Sequence, residues 1–187
     1  MRAFVALPCP PRLRAALVEA LDGWRRTQAA VRWAIPEQIH LTLRFLGDDA
    51  DSDRLGRLDA GLARVAENSE PLAVRPGPTG AFPGWRRPRV LWLGLEDDGA
   101  LAGLARSVEA AVREAGFPAD DRPFTPHLTL GRVKGRRGLN EVVGELRDWR
   151  AETGEEALEE LIVYRSRLGP GGARHEPIGR HCLGRER

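Results

Sequence analysis

The chain has 187 residues, 42% of them hydrophobic, and a formal net charge of +2, which is enough for one sizeable core. No apolar run approaches the roughly 20 residues of a membrane span, and the stretch from Ala3 to Leu7, broken at once by Pro8, Pro10 and Pro11, is too short for a secretory signal. Cys9 and Cys182 lie near opposite ends of the chain; this is no disulfide framework, and it fits a reducing cytoplasm.

In chain order, Arg2–Leu7 reads as a strand. Pro10 and Pro11 suit the first turn of a helix whose stripe is Leu13, Leu17, Leu21 and Trp24. Val31–Ala34 alternates as a short strand, and Ile39–Leu46 is a stronger one, stopped by Gly47. Residues Asp53–Glu67 carry a second amphipathic helix. The Pro- and Gly-rich segment Arg75–Arg89 reads as loop or irregular edge. Val90–Leu95 is an apolar strand, Ala100–Ala115 a third helix ended by Gly116, and Pro126–Val133 a strand. Leu139–Trp149 is a fourth, shorter helix. Leu158–Tyr164 is a strand, and after the loop Leu168–Gly172 a last weak strand closes the chain. The rhythm predicts a single α+β domain over residues 1–187. It has two similar, interleaved lobes, antiparallel sheets flanked by helices around a central cleft, related by a pseudo-two-fold duplication.

The duplication is visible in one tetrapeptide. His40-Leu41-Thr42-Leu43 recurs as His127-Leu128-Thr129-Leu130. Side chains alternate along a strand, so each copy shows an imidazole and a hydroxyl on one face and sends two leucines into the core. If the lobes face each other, two imidazoles can share proton abstraction and proton donation, and two hydroxyls can hydrogen-bond phosphoryl oxygens. Neither histidine has an Asp, Glu or Cys at ligand spacing, so no metal and no cofactor is expected. His175 and His181 lack a threonine two residues on, and a structural or surface role is expected of both.

The paired His-x-Thr-x signature resembles the 2H phosphoesterase superfamily. The wider text resembles its RNA 2′,3′-cyclic phosphodiesterase branch, also described as 2′-5′ RNA ligase. The likeness runs through Arg2–Leu7, Ile39–Gly47, Gly80–Pro83, Arg87–Gly94, Arg122–Leu130 and Tyr164–Ala173. It implies two α+β lobes around a groove and hydrolysis of an RNA terminal 2′,3′-cyclic phosphate to a 2′-phosphomonoester. It also implies that His40 is the proton donor, that His127 is the proton acceptor, and that Thr42 and Thr129 hold phosphate. The motif itself is nearly symmetric and does not separate the two histidines' roles. One departure is His175, where the family often has an aromatic residue.

Three further residues are assigned to substrate. Arg132 occupies a position that is usually arginine in the family; strict alternation puts it on the leucine face, so a bulge or strand end must turn it to the cleft. Arg44 shares the alternation face of His40 and Thr42 and would attract RNA backbone. Phe45, with Phe4 and Trp85, is a candidate to stack on a terminal base, although core packing is the ordinary use of Phe4 and Phe45. The Leu168–Gly172 loop could offer N–H groups or form a plain turn. Lys134 is the sole lysine among the 29 basic residues; guanidinium forks suit phosphate, but codon bias is the favoured explanation of the excess. The expected partner is an RNA end, the expected state a monomer. Alternative readings are 2′-5′ ligation at the same site, a non-catalytic RNA-end binder, and a phosphoesterase of small cyclic nucleotides.

Overall fold

A computed structural model describes residues 1–169 and 172–184. Nine strands and four α-helices alternate along the chain: β1 (Ala3–Pro8), α1 (Pro11–Arg26), β2 (Val31–Trp33), β3 (His40–Gly47), α2 (Ser52–Glu67), β4 (Leu72–Phe82), β5 (Val90–Glu96), α3 (Ala100–Glu114), β6 (His127–Val133), α4 (Leu139–Asp148), β7 (Glu156–Leu158), β8 (Glu160–Gly169) and β9 (Gly172–Cys182). The class is α+β, as expected, but the described strands form one antiparallel sheet rather than two. Its order is β7-β4-β5-β6-β3-β1-β8-β9, with β2 also on β6.

The duplication is written into that order. The first half of the chain runs β1-α1-β2-β3-α2 and the second β5-α3-β6-α4-β7, and each then sends its next long strand across. β4 leaves the first half to pair with β5, and β8 leaves the second to pair with β1. The seam is the β3–β6 pair, where Leu41 stands opposite Leu128. Both leucines, with Leu130, are fully buried. Beyond this point β3 leaves β6, whose far end pairs with β2 instead.

Apolar stripes place the helices. In α1 the buried residues are Leu13, Leu17, Leu21 and Trp24, and the Trp24 ring stacks on Trp33 and meets Trp149 edge-on. No side chain of α1 caps its N-terminus. The Glu156 carboxylate of β7 does so, accepting from the N–H groups of Arg12 and Leu13 at 2.9 and 2.8 Å, where the helix dipole favours an anion. Asp51 caps α2 through the Arg54 N–H, and Asp97 caps α3 through the Leu101 N–H. α2 packs on α3 with Gly61 set against Ala111; a Cβ at 61 would lie 3.2 Å from the alanine methyl.

Two expectations need correction. The segment from Arg75 is not a loop, because β4 runs as an 11-residue strand to Phe82. Its register on β5 shifts between Pro76 and Thr79, which leaves Gly77 and Pro78 in the irregularity. β7 covers only Leu72–Val74, so Pro76 and Pro78 sit where a missing N–H costs no ladder bond. The closing strand is likewise not weak: β9 pairs with β8 from Gly172 to Cys182.

Candidate active site

The β3–β6 register fixes the arrangement of the motif residues. With Leu41 opposite Leu128, an antiparallel step either way puts His40 beside Thr129 and Thr42 beside His127. Side-chain alternation then presents all four on the face opposite the leucines. Each imidazole is oriented identically. His40 Nδ1 donates to the Gln38 carbonyl and His127 Nδ1 to the Thr125 carbonyl, both at 2.7 Å. A carbonyl only accepts, so each ring carries its proton on Nδ1 and keeps Nε2 as a free base.

A cleft of about 450 Å³ opens where β3 and β6 diverge. His40, Thr42, Phe45, Thr129 and Arg132 line it. His127 follows on the same face of β6, its ring edge-on to Phe82 at 5.0 Å and near Trp92. Arg2 and Arg32 also reach the cleft, and among the described residues no Asp or Glu lines it. Arg2 is shared with Asp48 and lies over the Phe45 ring, 4.5 Å from its centroid.

A bulge at the same place in both motif copies selects the residues that follow. On β3 the pairing with β1 skips Leu43, so Thr42 faces Ala6 and Arg44 faces Val5. On β6 the pairing with β5 skips Leu130, so Thr129 faces Trp92 and Gly131 faces Leu91. One extra residue reverses alternation. It turns Phe45 and Arg132 toward the cleft as pseudo-equivalents, and it turns Arg44 away. Arg44 is therefore not a cleft residue: its guanidinium lies among Glu109 of α3, Asp120 and the Phe45 and Pro118 carbonyls, with its side chain 10% exposed. Trp85 is also outside the cleft, with Arg147 over its ring.

His175 is where sequence reasoning fell short. Expected to be structural or at the surface, it lines the cleft, edge-on to His40 at 5.2 Å and to Phe4 at 4.9 Å. No local pattern marks it: His175 reaches the cleft because β9 pairs with β8, where it stands opposite the cleft-lining Ser166. His181 instead meets Asp59 of α2 at 3.0 Å. In the Leu168–Gly172 loop, Pro170 and Gly171 lie outside the described residues. Arg165 and Arg167 pair with Glu176. Among the described residues no cluster of three His, Cys, Asp or Glu side chains suits a metal ion, and no helix is long and apolar enough to cross a membrane.

Burial holds the imidazoles neutral. It lowers His40 to about 4, with the His175 and His127 rings acting in the same direction. His127 is also lowered, first by burial and then by Arg132. Because the folded His40 resists a proton that the unfolded chain accepts near 6.5, its stabilising contribution is complete above pH 6.5 and is lost as the pH falls toward 4. The unfolding free energy from urea titrations should therefore fall on acidification, by about 2 kcal/mol from His40 alone between pH 7 and 5. The H40Q variant should show a flatter dependence; an unchanged slope in H40Q would count against the buried neutral ring.

The profile of the 2′-5′ RNA ligase superfamily matches residues 9–165. A protein of Methanothermobacter thermautotrophicus named RNA 2′,3′-cyclic phosphodiesterase is 34% identical over 92% of this chain and 93% of its own. One of the same name from Archaeoglobus fulgidus is 34% identical over 92% and 94%. A crystal structure of a Thermus thermophilus protein superimposes with a TM-score of 0.80 at 31% identity, covering 100% of both chains. The doubled motif, the shared sheet and this likeness along almost the entire length agree: the chain belongs to the 2′-5′ RNA ligase superfamily.

Proposed function

We propose that this single domain opens a terminal 2′,3′-cyclic phosphate on RNA to a 2′-phosphomonoester by acid–base catalysis between two imidazoles, without a metal ion. The observation that carries the reading is the His40/Thr129 and Thr42/His127 quartet at a cleft lined, among the described residues, by three arginines and no carboxylate. The names of the relatives support the reaction.

His127, the more exposed ring, takes a proton from water through Nε2 as the water oxygen bonds to phosphorus. The P–O3′ bond breaks, and His40 gives the departing 3′ oxygen its proton. In the empty cleft His40 is neutral at pH 7; the phosphodiester's negative charge favours a proton there. A proton held by so buried a ring is weakly held, which makes it a stronger acid. Thr42 and Thr129 donate to the non-bridging oxygens and Arg132 offsets their charge. Phe45 supports the terminal nucleoside, and the chain acts as a monomer in the cytoplasm.

The test is incubation of the protein with a 2′,3′-cyclic-phosphate-ended RNA in EDTA, followed by identification of the product. A 2′-phosphate is expected; an untouched substrate, or activity that requires added metal, would overturn the proposal. The superfamily's description supports a second reading, 2′-5′ ligation by reversal at the same site. It predicts joined RNA when a 5′-hydroxyl RNA replaces water as the nucleophile.

A further inference from the structure

Three histidines meet the cleft region, but only two have their ring nitrogens committed to backbone. His40 and His127 each spend Nδ1 on a carbonyl and leave Nε2 as an acceptor. His175 is arranged the other way. Its Nδ1 is buried with no hydrogen-bond partner, and Nε2 meets no protein partner among the described residues. A proton on the buried Nδ1 would find no acceptor, so the neutral ring carries it on Nε2, where it can be solvated. The ring is held in place by its edge contacts with His40 and Phe4, which stand at 90° and 87° to it. The result is a fixed N–H donor beside the proposed proton donor, in a cleft whose other charged side chains, among the described residues, are Arg2, Arg32 and Arg132.

We propose that His175 binds the substrate anion directly, donating its Nε2 hydrogen to a phosphate oxygen on the His40 side of the cleft. This rests on the phosphoesterase reading above and adds to it a third imidazole that binds rather than transfers a proton. The groups facing His175 decide its charge state. These are Arg2 from the start of the chain, His40 on β3 and Tyr164 on β8. On its own strand Arg174 and Glu176 alternate to the other face, and Glu176 is taken up by Arg165 and Arg167. Burial and Arg2 hold His175 below the ordinary histidine range, so it is a neutral donor in the empty site. A second proton on Nδ1 would again find no acceptor, so the ring stays a neutral donor.

Two variants separate binding from packing. H175F keeps an aromatic ring against His40 and Phe4 without a donor; H175Q returns an N–H without the ring. Inorganic phosphate binding to the purified protein, followed by calorimetry at pH 6 and 7.5, is the primary readout because it does not depend on turnover. H175F should weaken binding about tenfold at pH 7.5 and at pH 6 alike, and H175Q should recover most of the loss. With cyclic-phosphate RNA, H175F should raise KM by a similar factor and change kcat little. Equal binding by H175F and wild type, or a fall in kcat at constant KM, would overturn the proposal, the latter because it would mean action through His40. If the wild-type protein binds phosphate with this pattern but opens no cyclic phosphate, the phosphoesterase reading fails and the anion contact stands.

Discussion

Alanine in place of His127 is expected to lower kcat/KM for a 2′,3′-cyclic phosphate roughly 10²- to 10⁴-fold, and alanine in place of His40 to do the same. Both rings are fixed by one Nδ1–carbonyl bond and stand diagonally across the β3–β6 seam. The double variant should be scarcely worse than either single one, because groups that act as a unit are not additive. The two roles separate by leaving group. An activated aryl phosphodiester needs little proton donation, so it should restore much of the rate to the variant lacking the acid, proposed as H40A, and none to H127A. Near-normal turnover by either alanine variant would end the two-imidazole mechanism. Rescue of H127A and not H40A would reverse the assignment.

Replacement of Arg132 by alanine should raise KM on the order of 100-fold, the worth of a charge-assisted contact to phosphate. The β6 bulge aims this guanidinium into the cleft, and it has no ion pair among the described residues, unlike Arg2 and Arg44. Lysine should recover the charge but not the fork, and so only part of the loss. Since Arg132 also depresses His127, the acid limb of the kcat/KM profile should move upward in R132A. The binding loss should shrink at high salt. Steady-state kinetics across pH and salt check all three; an unchanged KM would place Arg132 outside the phosphate contact.

The strands β1, β3, β5 and β6 and all four helices were legible because period-2 and period-3.6 stripes of Leu, Val and Trp mark them. The motif pair was legible because alternation alone puts His and Thr on one face. Alternation also misplaced Arg44, since a bulge has no local signature in Leu43: it is set by the partner strand, which lies in another part of the chain. β4 was hidden by Pro76, Gly77 and Pro78, which deny a central strand but suit one whose second edge is only partly covered. His175 was hidden for a different reason. Its meaning comes from β9 lying on β8 and β8 on β1, a neighbourhood joined only by tertiary structure.

The crossed strands set the order in which the protein can be completed during synthesis. β1 is made first, but one of its two neighbours is β8, with Ala3 opposite Arg165. Until β8 has left the ribosome, β1 must keep an unpaired edge in a sheet that cannot yet close. Contacts of such sequence separation slow folding. A fragment ending before β8 would expose that edge and the leucines beneath it, which makes truncated products of this chain candidates for aggregation rather than half-sized domains.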